Sequence, residues 1–171
     1  MNYTQNEKIE QVTDSTMVVG VDIGSQIHYA RVFDNRGREL TKRVFSFHNN
    51  LEGLNSFNFW AETLKTENNK TAVLIGCEPT GHYWFAFAKY VNNHQKRLVM
   101  VNPFSVKKIK ELDDNSPKKT DSKDSKTIAK LVVDGRYSIP YMPEGIYAEI
   151  RDLVYSRDRI MKQHNISANR I

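Results

Sequence analysis

The chain has 171 residues, 39% hydrophobic and 26% charged, which suits one ordinary domain with an appendage and excludes wholesale disorder, collagen-like repeats and a disulfide scaffold. Its single cysteine, Cys77, can form neither an intrachain bridge nor a cysteine metal site, so any metal must be held by oxygen or histidine. The net charge of +5 is concentrated: Lys96 to Arg136 holds eleven Lys or Arg against six Asp or Glu, a surface that either attracts polyanions or serves only as a solvated face.

Residues 1–16 show no apolar period and read as a flexible leader without the apolar stretch of a signal peptide. Met17 to Ile23 is short and β-branched, which predicts a strand buried on both faces apart from Asp22. His28 to Asp34 and Glu39 to Phe47 alternate in period two around the turn residues Asn35, Arg36 and Gly37, which predicts a hairpin and hence three successive antiparallel strands. Leu51, Leu54, Phe57, Ala61 and Leu64 space as an amphipathic helix. Thr71 to Cys77 reads as a second buried strand, broken after Glu78 by Pro79 and Gly81. A helix carrying Trp84, Phe85, Ala88 and Val91 follows, then a short strand at Leu98 to Val101 and a lysine-bearing helix from Phe104 to Leu112. Asp113 to Lys119 reads as a loop, and a helix from about Thr120 to Asp134 ends at Gly135.

Three strands followed by strand and helix units predict an α/β fold, a mixed sheet with helices on its faces. Pro140 and Pro143 mark a break, so residues 17–139 form the domain and residues 140–171 a linker and the start of a helical or coiled-coil region. No apolar run approaches the ~20 residues of a membrane-spanning helix, and a soluble intracellular protein is expected.

Four carboxylates stand out. Asp22 shares a strand face with Gly20 and Gly24, in a stretch where an ionised group needs a cation, a hydrogen-bond network or the strand's wet end. Glu78 follows a buried strand directly, where α/β sheets gather their ligands, although an exposed loop acid would read the same way. Asp121 and Asp124 lie three apart at the head of a helix whose apolar stripe continues through Ile128 and Leu131. Capping of the helix explains them equally well. Together the four make a hard oxygen-rich set suited to Mg²⁺, or to a pair of such ions about 3.5 to 4 Å apart in phosphodiester chemistry. Lys118, Lys119, Lys123 and Lys126 beside them, with Lys107, Lys108 and Lys110 upstream, suit a phosphate backbone. The five histidines lack metal-binding spacing and read as surface or hydrogen-bonded structural residues.

The segments VGVDIGS around Asp22, F-x-N-x-x-x-G at Phe47, Asn49 and Gly53, CEPTGHYW around Glu78, VNP at Val101 to Pro103 and KTDSKDSKTIAKL around Asp121 and Asp124 resemble the DEDD transposases of insertion sequences. The resemblance implies a RuvC-type, ribonuclease-H-like domain in which Asp22, Glu78, Asp121 and Asp124 form a catalytic tetrad binding Mg²⁺ or Mn²⁺. It further implies DNA cleavage and strand transfer, a homo-oligomer, a structured guide RNA in some members and a cytoplasmic, nucleoid-associated place of action. The family's C-terminal domain with its nucleophilic serine is not found here, so an incomplete catalytic fragment is expected. Two alternatives compete: a non-catalytic nucleic-acid-binding or assembly module, and an actin-like ATPase domain suggested by VDIGS alone, which lacks the further phosphate and adenosine motifs such a domain needs.

Overall fold

The computed structural model describes residues 3–79, 81–113, 121–143 and 145–168, without the side chains of Asp113, Asp121, Ser122 and Lys123. β1 (Thr16–Asp22) is the central strand, because Met17, Val18, Val19 and Val21 are all fully buried and can be satisfied only with helices on both sides. β2 (Ile27–Phe33) pairs antiparallel with β1, and β3 (Phe45–His48) antiparallel with β2. β4 (Ala72–Cys77) pairs parallel with β1 on its other side, followed by β5 (Arg97–Met100), parallel to β4. The order β3-β2-β1-β4-β5, with three antiparallel strands and then parallel ones, is the expected ribonuclease-H-like mixed sheet.

The helices divide between the two faces. α2 (Leu51–Glu67) packs on β3, and α3 (Trp84–Asn93) on β5. Phe57 from α2 and Phe87 from α3 meet Phe47 of β3 in a ring cluster, with centroids 4.7 Å apart for Phe47 and Phe57 and 5.3 Å for Phe57 and Phe87. α4 (Pro103–Asp113) packs on α5 (Asp121–Val133), and α5 crosses β1, β2 and β4 on the opposite face. Its Ile128, Ala129, Leu131 and Val132 close a core with Val18, Phe33, Leu74 and Val99. Each of the larger of these side chains contributes about 1.5–3 kcal/mol through burial.

Two expectations are corrected. The leader is not wholly loose: α1 (Gln5–Glu10) starts with a capping box between Thr4 and Glu7. It is tied down by bonds from Gln5 Nε2 to the Asp134 carbonyl at 2.9 Å and from Lys8 Nζ to the Tyr137 carbonyl at 2.6 Å, while Val12 enters the core. The hairpin's second strand is also shorter than its alternation predicts. After a bridge between Phe33 and Glu39, pairing resumes only at β3, because the Thr41 hydroxyl accepts the Val32 N–H at 3.4 Å and Arg31 is drawn into an ion pair with Glu39.

The chain divides into two compact units, Met1–Ile139 and Pro140–Ile171. The second consists chiefly of α6 (Ile146–Ala168), with Ile146, Ile150, Leu153 and Val154 exposed along it. Among the described residues no helix is long and apolar enough to cross a membrane.

Candidate active site

Alternation along β1 puts Val18, Gly20 and Asp22 on the face covered by α5. The parallel register pairs Gly20 with Gly76 and Val21 with Cys77, so β1 and β4 end side by side, with Asp22 as the last residue of one and Glu78 directly after the other. The two glycines are what let α5 lie this close. A Cβ on Gly20 would stand 2.0 Å from the Ser125 carbonyl oxygen and 2.7 Å from the Ala129 nitrogen, and one on Gly76 would stand 2.3 Å from Cγ2 of Val132. Asp124, immediately before Ser125, is thereby brought to the same end of the sheet.

Electrostatics report the same proximity. The Glu78 carboxyl is pushed above its ordinary range, first by partial burial and then by the negative charge of Asp124, with the Lys110 ammonium acting in the opposite direction. Lys110 reaches from α4 to form an ion pair with Asp124, both side chains partly buried. Burial, with the Glu78 charge behind it, pushes the neighbouring Cys77 thiol up to about 12, which leaves it an inert core residue.

The loop after Asp22 is held from the far side of the sheet. His28 is fully buried, and its Nδ1 accepts the Gly24 N–H at 3.2 Å while its ring meets Phe47 edge-on at 5.0 Å. Burial lowers its pKa, opposed by a hydrogen bond with Asn49. Asn49 also donates from its backbone to the Gln26 carbonyl at 2.8 Å and from Nδ2 to the Ser25 carbonyl at 3.3 Å. An open pocket of about 280 Å³ results, lined by Asp22, Gly24, Ser25, Gln26 and Tyr29 among others.

The structure therefore puts Asp22 and Glu78 at the neighbouring ends of β1 and β4, with Asp124 within electrostatic reach of Glu78. Asp121 opens α5, one turn before Asp124, but its side chain lies outside the described residues. Among the described residues no three acidic, histidine or cysteine side chains stand close enough to hold a metal ion. Lys107, Lys108 and Lys126 are exposed, and Lys108 lies over the Phe104 ring at 4.6 Å. Lys118 and Lys119, and the side chain of Lys123, lie outside the described residues. Sequence reasoning assigned Lys110 to a phosphate backbone and did not foresee its pairing with Asp124. It also missed Tyr29, the register partner of Asp22, since nothing in a single strand reveals its neighbour.

A family profile described as a transposase, of the DEDD IS110 type, matches residues 19–171. The chain belongs to that family. Its sheet has the ribonuclease-H-like strand order, with Asp22 ending β1, Glu78 following β4 and Asp121 and Asp124 in the first turn of α5. Among solved structures, RuvC of Thermus thermophilus in complex with a Holliday junction substrate is similar at 13% identity, with a TM-score of 0.45, over 72% of this chain and 98% of that one. A second structure of Thermus thermophilus RuvC is similar at 14% identity, again with a TM-score of 0.45, over 71% of this chain and 98% of that one. An exopolyphosphatase from Cytophaga hutchinsonii is similar at 7% identity, with a TM-score of 0.33, over 53% of this chain and 36% of that one. No curated protein matches the chain in sequence.

Proposed function

We propose that this domain performs metal-dependent cleavage and transfer of DNA strands, with Asp22, Glu78, Asp121 and Asp124 holding Mg²⁺ or Mn²⁺. The observation that carries this reading is the close seating of α5 on Gly20, which brings Asp124 near enough to raise the pKa of Glu78 beside the end of β1. Two like charges placed at one edge are unfavourable unless a cation is shared between them, and an ammonium already stands against one of them. The donors are all carboxylate oxygens, which suit a hard divalent ion and exclude a thiolate site.

A bound divalent ion would supply the charge that activates a nucleophile and stabilises the leaving oxygen of a phosphodiester. The chain's residues do the rest. Asp22, anchored by β1, gives the site a rigid wall, and the hydrogen bonds of His28 and Asn49 fix the turn above it. Glu78 retains a proton more readily than an ordinary glutamate and gives it up when positive charge arrives. Lys107, Lys108 and Lys126, exposed on α4 and α5, bind the DNA backbone by releasing its counterions.

Calorimetric titration of Mn²⁺ into the unmodified chain and into D22N and D124N tests the reading. Binding that is lost in both variants, with duplex DNA bound more tightly in Ca²⁺ than in EDTA, is the expected result. Equal Mn²⁺ binding by all three proteins, or DNA binding indifferent to divalent ions and to the four acids, would reduce the domain to a nucleic-acid-binding module.

A further inference from the structure

The sequence offers Lys110 as one more phosphate contact on a basic helix, but its position says something different. Lys107 and Lys108 on the same helix are exposed, whereas Lys110 is half-buried and its ammonium is committed to the Asp124 carboxylate on α5. Its charge also reaches Glu78 and offsets part of the repulsion that Asp124 exerts there. One ammonium thus pairs with Asp124 and partly offsets the negative charge at Glu78.

We propose that Lys110 is the resident counter-ion of the acidic site and exchanges with the divalent cation: while the metal is absent it occupies Asp124, and when the metal arrives it is displaced to a DNA phosphate. This rests on the four-acid reading above and deepens it. The exchange follows from charge balance and from α4 packing on α5. The ammonium holds Oδ1 of Asp124, so a metal that uses this oxygen has to displace it, and the repulsion between the two cations favours the exchange. A lysine is suited to the task because its point charge sits on a flexible four-carbon stem that can swing without moving α4. After release, the ammonium remains at the rim of the site, where a phosphodiester held against the metal brings its own negative charge. Lys110 acts in this way as a positioning residue that links metal occupancy to DNA affinity.

The test uses the 171-residue chain, K110M, K110R and D124N, with Mn²⁺ titrated by calorimetry and a duplex DNA titrated in Ca²⁺ or in EDTA. K110M, which keeps the stem and loses the competitor, is expected to bind Mn²⁺ about two- to fivefold more tightly, the upper part of the range for removing one partly exposed ion pair. K110R keeps the competing charge and stays near the unmodified affinity. The DNA penalty of K110M is expected in Ca²⁺ and not in EDTA. If K110M binds Mn²⁺ no more tightly while D124N abolishes binding, the exchange is overturned and the four-acid reading stands. If the unmodified chain and all variants fail to bind Mn²⁺, the four-acid reading falls and the exchange with it. A DNA penalty equal in Ca²⁺ and EDTA overturns the displacement to phosphate, since it makes Lys110 an ordinary backbone contact.

Discussion

Replacing Gly20 by alanine probes the packing on which the site depends. The added methyl carbon would lie 2.0 Å from the Ser125 carbonyl oxygen, 2.7 Å from the Ala129 nitrogen and 2.9 Å from the Ala129 Cβ. A comfortable carbon–oxygen approach is about 3.3 Å, so α5 must withdraw by about 1.3 Å or rotate. Two of the three obstacles are backbone, which cannot turn aside as a side chain could. Forcing extra carbon into a packed core costs about 1–3 kcal/mol, and the backbone obstacles put this case at the upper end. Alanine recovers about 0.5–1 kcal/mol of the entropy that glycine loses in a strand, leaving a net loss of about 2 kcal/mol. Urea unfolding should therefore show a lower midpoint with an unchanged slope. Because Asp124 adjoins Ser125, the same shift moves its carboxylate by about an ångström, which at the proposed site should weaken metal binding by about ten- to a hundredfold, the loss usual when the support of a ligating carboxylate is disturbed. Mn²⁺ calorimetry on the folded variant reads this second effect. A G20A protein within 0.5 kcal/mol of the unmodified chain by the ~0.5 kcal/mol criterion for neutral substitutions, and with equal Mn²⁺ affinity, would refute the reasoning.

Glu78→Gln should stabilise the metal-free chain slightly while removing one of the proposed metal ligands. The raised pKa of Glu78 means its ionisation opposes folding, so the opposition grows as pH rises through the folded-state value and vanishes in acid. The carboxyl is only half-buried, so a gain of no more than about 0.5 kcal/mol is expected, about 1–2 °C in Tm. Differential scanning in EDTA at pH 7 checks it, and a lower Tm would contradict it. The lowered pKa of His28 has the opposite pH sense: the folded chain binds the proton less readily than the unfolded one. Stability from this site is complete above the ordinary histidine value of 6.5 and falls as the pH drops below it. His28→Phe should flatten that acid limb in denaturant titrations between pH 7 and 5, while the lost bond to Gly24 costs about 1 kcal/mol at neutral pH. An unchanged acid limb would show that another group carries it.

What the sequence determined by itself was most of what local pattern sets. The β-branched runs Met17–Ile23 and Thr71–Cys77 read as buried strands, and the period from Asp124 through Ile128 and Leu131 as a helix with one apolar face, and the structure has both. Those elements in that order already implied the mixed sheet, and the acids at strand ends were visible because ionised groups are costly where their neighbours are apolar. Tertiary structure decided which groups meet. The leader's polar residues carry no apolar period, and α1 is held instead by distant carbonyls of Asp134 and Tyr137 that no short window contains. Glu39–Phe47 kept its alternation but lost part of its ladder to the Thr41 hydroxyl, a competition between bonds that composition does not rank. Lys107, Lys108 and Lys110 are the same residue type within four positions, yet only the packing of α4 against α5 turns the third toward Asp124. Periodicity is a property of neighbours along the chain, whereas an ion pair across two helices is a property of the distance between them, and folding alone sets that distance.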